Sequence, residues 1–176
     1  MEISIRQEQE ADHKVVFQLI EEAFAGETLS DHREQFLVER LRKSEAFIPE
    51  LSIVAILNEQ IVGHILLTKI KIKNTTQSFD SLALAPVSVL PPFQGQGIGG
   101  ALIKAAHEKA KALGHTSIVL LGHEAYYPRF GYQQSAQFGI SLPFDVPAEN
   151  CMAIELVPNT LQKISGVVEY APEFFE

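Results

Sequence analysis

Apolar positions follow two different periods along the chain. Ile3 and Ile5 alternate with polar neighbours and mark a short opening strand. The period then lengthens: Val15, Val16, Leu19, Ile20 and Ala23 fall on one side of a helix. Asp12 is placed to cap it, Phe24 lies near its end and Gly26 stops it. Phe36, Leu37, Arg40 and Leu41 carry a second helical stretch to about Lys43. Ser30 is its cap candidate, without the glutamate that would complete a capping box. Continuous apolar runs follow. Residues 51–57 read as a strand, 58–60 as a tight turn and 61–72 as the returning strand of an antiparallel hairpin. A third strand over 82–90 follows the polar turn 74–77. It contains Pro86, which cannot donate to a ladder, so a bulge, bend or edge is expected there.

The helical period returns at Ile98 and continues through Leu102, Ala106, Ala110 and Leu113, with Gly114 placed to end it. Residues 118–121 form a short apolar strand of the kind a helical crossover feeds. Residues 125–130 read as one or two helical turns stopped by Gly131. Short strands follow, most clearly at 152–157 and 166–170. Helices, antiparallel strands and then one strand–helix–strand crossover predict an α/β fold with a mixed, mostly antiparallel central sheet, not a doubly wound parallel one.

Length and charge narrow the function. At 176 residues the chain suits one well-filled core, so residues 1–176 are expected to form a single domain. The 14 Lys and Arg against 22 Asp and Glu leave a net charge of −8, the reverse of a nucleic-acid binder. Lys69, Lys71 and Lys73 alternate with Ile70 and Ile72, as the solvated face of a strand does. The one cysteine, Cys151, permits no internal disulfide or thiolate zinc cluster and reads as a small buried residue. His13, His32, His64 and His107 lack ligand spacing, so no metal is expected; they read as surface or internally satisfied residues. Residues 1–6 carry no basic segment leading into an apolar run, and no apolar stretch reaches the ~20 residues of a membrane span. A cytoplasmic, membrane-free protein is the expectation.

The strongest chemical signal is the run Gln94-Gly95-Gln96-Gly97-Ile98-Gly99-Gly100 at the start of a helix. Glycines let backbone approach a ligand, and the free amides of a first helical turn favour an anion such as pyrophosphate. Gly95, Gly97 and Gly100 satisfy the dinucleotide spacing G-x-G-x-x-G. Gln94, Gly97 and Gly99 satisfy the coenzyme A spacing Q/R-x-x-G-x-G/A. The dinucleotide reading requires a tight turn directly off an early parallel strand. Here Pro91-Pro92 intervenes and antiparallel strands precede, which favours coenzyme A.

Residues 89–99, Val-Leu-Pro-Pro-Phe-Gln-Gly-Gln-Gly-Ile-Gly, together with Tyr126-Tyr127-Pro128-Arg129-Phe130-Gly131-Tyr132, resemble the GNAT superfamily of N-acetyltransferases, in particular a bacterial subgroup with the Tyr-Tyr-x-Arg-Phe-Gly-aromatic segment. The order of elements over roughly 1–135 is similar as well, with core motifs in 82–132 and further strands in 133–176. The resemblance implies a splayed parallel strand pair, 82–90 and 118–121, with the pantetheine arm of acetyl-CoA in the gap and paired near Val87 and Val89. It implies that Gln94 and Gly95 shape the loop, and that the amides of Gln96, Gly97, Ile98, Gly99 and Gly100 hold the pyrophosphate. It implies transfer of acetyl to an amine acceptor by direct attack, with the Val89 N–H facing the oxyanion and Tyr127 protonating the leaving thiolate; Tyr126, one residue away, is the alternative acid. Dimerisation is common in that family, so a homodimer is an expectation carried by the resemblance alone. His123, Glu124, Glu21, Glu22 and water are the candidate bases, without a choice among them, and Arg129 is either a phosphate contact or a helix-turn closure. A non-catalytic acyl-CoA sensor of the same fold is the competing reading.

Overall fold

The computed structural model describes residues 2–28 and 30–176. Their elements run β1 (Ser4–Gln7), α1 (His13–Phe24), α2 (Glu34–Arg42), β2 (Phe47–Leu57), β3 (Gln60–Lys73), β4 (Ser78–Val89), α3 (Ile98–Ala112) and β5 (Ser117–Leu121). Four short strands follow: β6 (Gln133–Gln134), β7 (Ile140–Ser141), β8 (Cys151–Glu155) and β9 (Gly166–Glu169). They form one mixed sheet in the order β1-β2-β3-β4-β5-β8-β6, with β9 beside the far end of β3 and β7 beside β9. Pairing is antiparallel from β1 to β4, and the β4–β5 contact is parallel. The β2–β3 turn is tight because Asn58 and Glu59 both take positive φ, 50° and 64°, the geometry of a two-residue hairpin loop.

The two faces of the sheet are covered differently. A Cβ at Gly63 would stand 2.9 Å from Leu102 Cδ1 and 3.2 Å from Ile98 Cγ2, so α3 lies directly on that face. The next residue, His64, points to the opposite face, where α1 and α2 pack. Ile98, Leu102, Ile103, Ala106 and Ala110 bury the inner side of α3; Val16, Leu19 and Ile20 bury that of α1. The second hydrophobic cluster, with Ile70, Ile72, Val119, Cys151 and Val168, lies where the C-terminal strands join.

Several local expectations change. Val15 is 45% exposed because the buried stripe of α1 is one residue narrower than the apolar run. The Asp12 carboxylate does not cap α1. It accepts from Arg6 at 2.7 and 3.1 Å and from the Gln9 N–H at 2.8 Å, tying the end of β1 to the turn before the helix. Ser30 does not cap α2 either: its Oγ accepts the His32 N–H at 2.9 Å and its hydroxyl meets the Glu34 carboxylate, so the helix begins at Glu34. The strands β2 and β4 start at Phe47 and Ser78, ahead of the predicted runs: Phe47 pairs with Thr68 before an irregularity that ends at Ser52, and Ser78 and Asp80 pair with Lys73 and Lys71 at the exposed end of the sheet. Lys71 and Lys73 are solvated as expected and pair with Asp80 and Glu169.

His64 is neither a surface residue nor a satisfied one. It is fully buried in a polar cluster between the sheet and the helices. Glu8 accepts from Arg42 through two bonds, Nη2 to Oε2 at 2.6 Å and Nε to Oε1 at 3.2 Å, and from the Ser52 hydroxyl at 2.8 Å. Ser52 Oγ lies 3.0 Å from His64 Nε2. Burial alone would push the Glu8 carboxyl up, but the bonds from Arg42 and Ser52 outweigh it and hold it below the usual range. Burial pushes His64 down to about 4, with nearby Glu8 opposing.

This shift has a sign. The unfolded histidine takes up a proton near pH 6.5 and the buried one near 4, so the unfolded state binds the extra proton between those values. The His64 contribution is complete above about pH 6.5 and declines as pH falls toward 4. Urea unfolding followed from pH 7.5 to 4.5 is expected to show stability falling from about pH 6.5, before the carboxylates titrate. In a His64→Phe protein the slope between pH 6.5 and 4.5 should be markedly reduced.

Candidate active site

The site begins where β4 leaves β5. Only Leu82 with Ile118 and Ala83 with Val119 are paired, yet β4 runs on to Val89 and β5 to Leu121. β5 remains fully paired to β8 on its other edge, and β4 to β3 on its own. The β3–β4 register shifts between Ile65 opposite Val87 and Leu67 opposite Leu84, so β4 carries one extra residue around Pro86, the bulge expected from the sequence. Beyond it the Leu90 N–H bonds to the Val62 carbonyl at 2.9 Å. Antiparallel partners alternate between bonded and unbonded pairs. Val89 and Val87 therefore hold positions whose N–H and C=O turn away from β3 and into the gap. The Val89 carbonyl accepts from Gln94 Nε2 at 3.0 Å.

The glycine run divides into two jobs. Gly95 and Gly97 have φ of +76° and +84°, and a Cβ on either would meet nothing within 4 Å. Backbone conformation is what these two positions demand, and the space beside them is open. Gly97 is the N-cap of α3, whose first intrahelical bond runs from the Ala101 N–H to the Gly97 carbonyl at 3.0 Å. The amides of Ile98, Gly99 and Gly100 precede that bond and have no helical acceptor. The first turn of α3 contains no acidic residue, so the positive end of its dipole is uncompensated there. Gly99 and Gly100 are small for another reason. Cβ atoms there would lie 3.0 Å from Tyr126 Oη and 3.2 Å from the Phe130 ring. These two let the aromatic segment lie against the helix start. Gln96 turns its amide toward the Pro92 carbonyl at 3.4 Å.

That segment is a single turn, Tyr127–Phe130, ended by Gly131 at φ +101°. Tyr127 is 9% exposed, and its ring lies so close to Gly122 that a Cβ there would be 2.3 Å from Cε2. It meets Tyr126 and Tyr132 edge-on, with centroids 5.1 and 5.8 Å away. Tyr132 Oη is 2.8 Å from His107 Nε2, which anchors the far end of the row to α3. Burial, reinforced by Tyr126, pushes the Tyr127 hydroxyl up to about 12, so it is a neutral proton donor throughout the physiological range. Tyr126 is half-buried, with its hydroxyl at Gly99 rather than along β5. Arg129 closes the turn: its Nε donates to the Tyr126 carbonyl at 3.0 Å and its guanidinium sits 4.8 Å from the centre of the Tyr126 ring.

Glu21, Glu22, His123 and Glu124 are all exposed. Glu124 lines a cavity of about 610 Å³ with Gln133, Gln134, Glu149 and Met152. The structure thus brings Val87, Val89, the glycine loop and the tyrosines to one mouth; on α1, Glu22 is exposed and the Glu21 carboxylate accepts from Gln35 of α2 at 3.5 Å. Sequence reasoning gave Gly122 no role of its own and read His107 only as a surface or internally satisfied residue, with no link to the tyrosine row. A lone glycine after an apolar strand and a histidine inside a helical period carry no signal until the chain has folded.

A mixed sheet with a parallel pair that parts beside a glycine-capped helix is the architecture of the GNAT acyltransferases. The family description "Acetyltransferase (GNAT) domain" matches residues 4–135, and the chain belongs to this family of transferase enzymes. It is 37% identical over 119 residues to the uncharacterized N-acetyltransferase YjhQ of Escherichia coli K12, a match spanning 67% of this chain and 66% of that protein. It is 25% identical over 154 residues to the uncharacterized N-acetyltransferase YhbS of the same organism, across 87% and 90% of the two. Among solved structures, a GNAT family acetyltransferase from Brucella melitensis in complex with acetyl-CoA superposes with a TM-score of 0.80 at 31% identity, covering 98% of each chain. The YhbS crystal structure in complex with CoA superposes with a TM-score of 0.89 at 23% identity, over 99% of this chain and 92% of that one.

Because Gly122 leaves no room beside the Tyr127 ring, Gly122→Ala is expected to cost about 1–3 kcal/mol through overpacking. Differential scanning calorimetry reads this as a lower Tm, accompanied by a changed tyrosine signal in near-ultraviolet circular dichroism.

Proposed function

We propose that this chain is an acetyl-CoA-dependent N-acetyltransferase, acting as a single domain in the cytoplasm, that transfers acetyl to a primary amine of a small molecule or protein by direct attack. The observation that carries the reading is the open loop at Gly95 and Gly97, with the unbonded amides of Ile98, Gly99 and Gly100 at its end and the β4–β5 gap beside it. The fit to a diphosphate is chemical as well as steric. Backbone amides and a helix dipole attract an anion even on a protein of charge −8. The inward-turned groups of Val87 and Val89 suit an amide-bearing arm laid along β4. The free, buried thiol of Cys151 is in keeping with a reducing compartment. Among the described residues no helix is long and apolar enough to cross a membrane.

In this reading the Val89 N–H faces the developing oxyanion while its carbonyl is held by Gln94. A neutral amine attacks the thioester carbon, the carbon–sulfur bond breaks as the Tyr127 hydroxyl supplies a proton to the departing thiolate, and the proton the new amide nitrogen sheds passes to water, from which Tyr127 is reprotonated. A thiol titrates near 8.5, below the raised tyrosine, so the donor's value is to hold a hydrogen bond to sulfur as charge develops and to give up its proton only as the bond breaks. Tyr126 points its hydroxyl at the loop, a position suited to lining the phosphate end rather than the sulfur.

Thiol release from acetyl-CoA with a panel of amines tests the function, and acetyl-CoA binding without release for any amine would reduce it to a binding domain. Tyr127→Phe is expected to lower kcat about 10²-fold with little change in the KM for acetyl-CoA, whereas Tyr126→Phe should act mainly on that KM. Gly97→Asp puts a side chain on a positive-φ residue and a carboxylate at the helix end. It should abolish the rise in Tm that acetyl-CoA gives the wild type in a thermal-shift assay.

A further inference from the structure

Among the buried side-chain atoms without a protein partner are His64 Nδ1 and Ser88 Oγ. They belong to residues that face each other directly across β3 and β4. Directly opposed residues project to the same face of a sheet, here the face that α1 and α2 cover. Their needs are complementary. Ser52 Oγ donates its one hydrogen to the Glu8 carboxylate, which only accepts, so Ser52 must receive its bond from His64 Nε2–H. That leaves Nδ1 as a bare lone pair. The Ser88 hydroxyl opposite it carries a hydrogen with nowhere to go. The ladder places this couple at a bonded position, two residues from Val62 and Leu90, where Cα atoms stand about 5.5 Å apart. The two side chains make no direct bond to each other, and one oxygen between them would give each atom the partner it lacks.

We infer that one internal water bridges His64 Nδ1 and Ser88 Oγ, and that this bridge positions the β4 stretch Val87–Ser88–Val89 from the face opposite the cofactor gap. The water accepts from Ser88 and donates to His64. A continuous chain then runs from Arg42 through Glu8, Ser52, His64 and the water to Ser88. It ties α2 and the end of β1 to the one residue whose two neighbours turn their backbone into the gap. Leaving both atoms dry and unpaired would cost more than confining the water. The bridge stands on the sheet geometry alone; its effect on cofactor binding rests on the acetyl-CoA reading above.

A crystal structure resolving ordered solvent is expected to show one water within hydrogen-bonding distance of both atoms, and nitrogen-15 spectra should find His64 protonated at Nε2 only. A direct Ser88–His64 bond, an empty position or a proton on Nδ1 would overturn the bridge. Stability gives an independent sign. Removing an unpaired buried hydroxyl should stabilise the protein or leave it unchanged, whereas removing a bridged one strands the water. Ser88→Ala is therefore expected to lower Tm by about 2–4 °C, and an unchanged or raised Tm would overturn the proposal. Ser88→Ala should also raise the KM for acetyl-CoA about fivefold with a smaller fall in kcat, and Ser88→Thr, which keeps the hydroxyl, should recover most of the loss. A KM equal to that of wild type would overturn the positioning role. If wild-type protein binds no acetyl-CoA, the functional reading fails, while the crystal, spectroscopic and Tm results still decide the bridge.

Discussion

The parting of β4 from β5 is the constraint on which the rest of the site depends. Each strand is held on its outer edge, β4 by β3 and β5 by β8, so the gap between them has two fixed walls. Pro86, three residues beyond the last β4–β5 pair, supplies no N–H, and the added residue there resets which backbone groups face outward. The glycine loop follows within a few residues, so the end of the gap opens onto the start of α3. The recognition surface proposed above is mostly main chain. That explains how an acidic chain is suited to a polyanionic co-substrate without a cluster of lysines: the charge complement comes from peptide dipoles.

The order of elements and the glycine loop were readable in advance because each rests on local rules. Periodicity placed α1, α3 and the β2–β3 hairpin, and the Pro86 bulge followed from a missing donor. What escaped was non-local. Nothing in the letters around Ser78 says that a polar stretch will find a partner strand, and nothing around Phe47 says that pairing resumes ahead of Pro49. Val15 and Val16 are equally apolar, and only the packing of α1 on the sheet decides which of them is buried. His64 is the clearest case: it lies in an apolar strand, but the groups that bury it with a carboxylate, an arginine and a serine come from β1, α2 and β2. In the loop, the spacing of the glycines was legible but their separate duties were not, since Tyr126 and Phe130 are distant in sequence from Gly99 and Gly100.

The two faces of the sheet divide the work. In the proposed reading the α3 face meets the co-substrate through backbone. The α1–α2 face carries a hydrogen-bonded charge cluster in an otherwise apolar layer. Such a cluster adds little net stability compared with well-packed apolar side chains, but it tolerates few alternative arrangements, because each partner left unpaired is costly. It therefore favours a single relative placement of β1, α2 and β3, the strand against which the site-bearing part of β4 is registered.

The row of rings at the mouth has an optical consequence. The chain contains no tryptophan and four tyrosines, and Tyr126, Tyr127 and Tyr132 stand in edge contact at the site while Tyr170 packs elsewhere. Intrinsic emission excited near 280 nm (roughly the phenol absorption band) thus originates largely from this one spot. In the proposed reading the protein carries its own reporter: a guest seated beside these phenols alters their contacts and hydrogen bonds and with them the quenching of their emission.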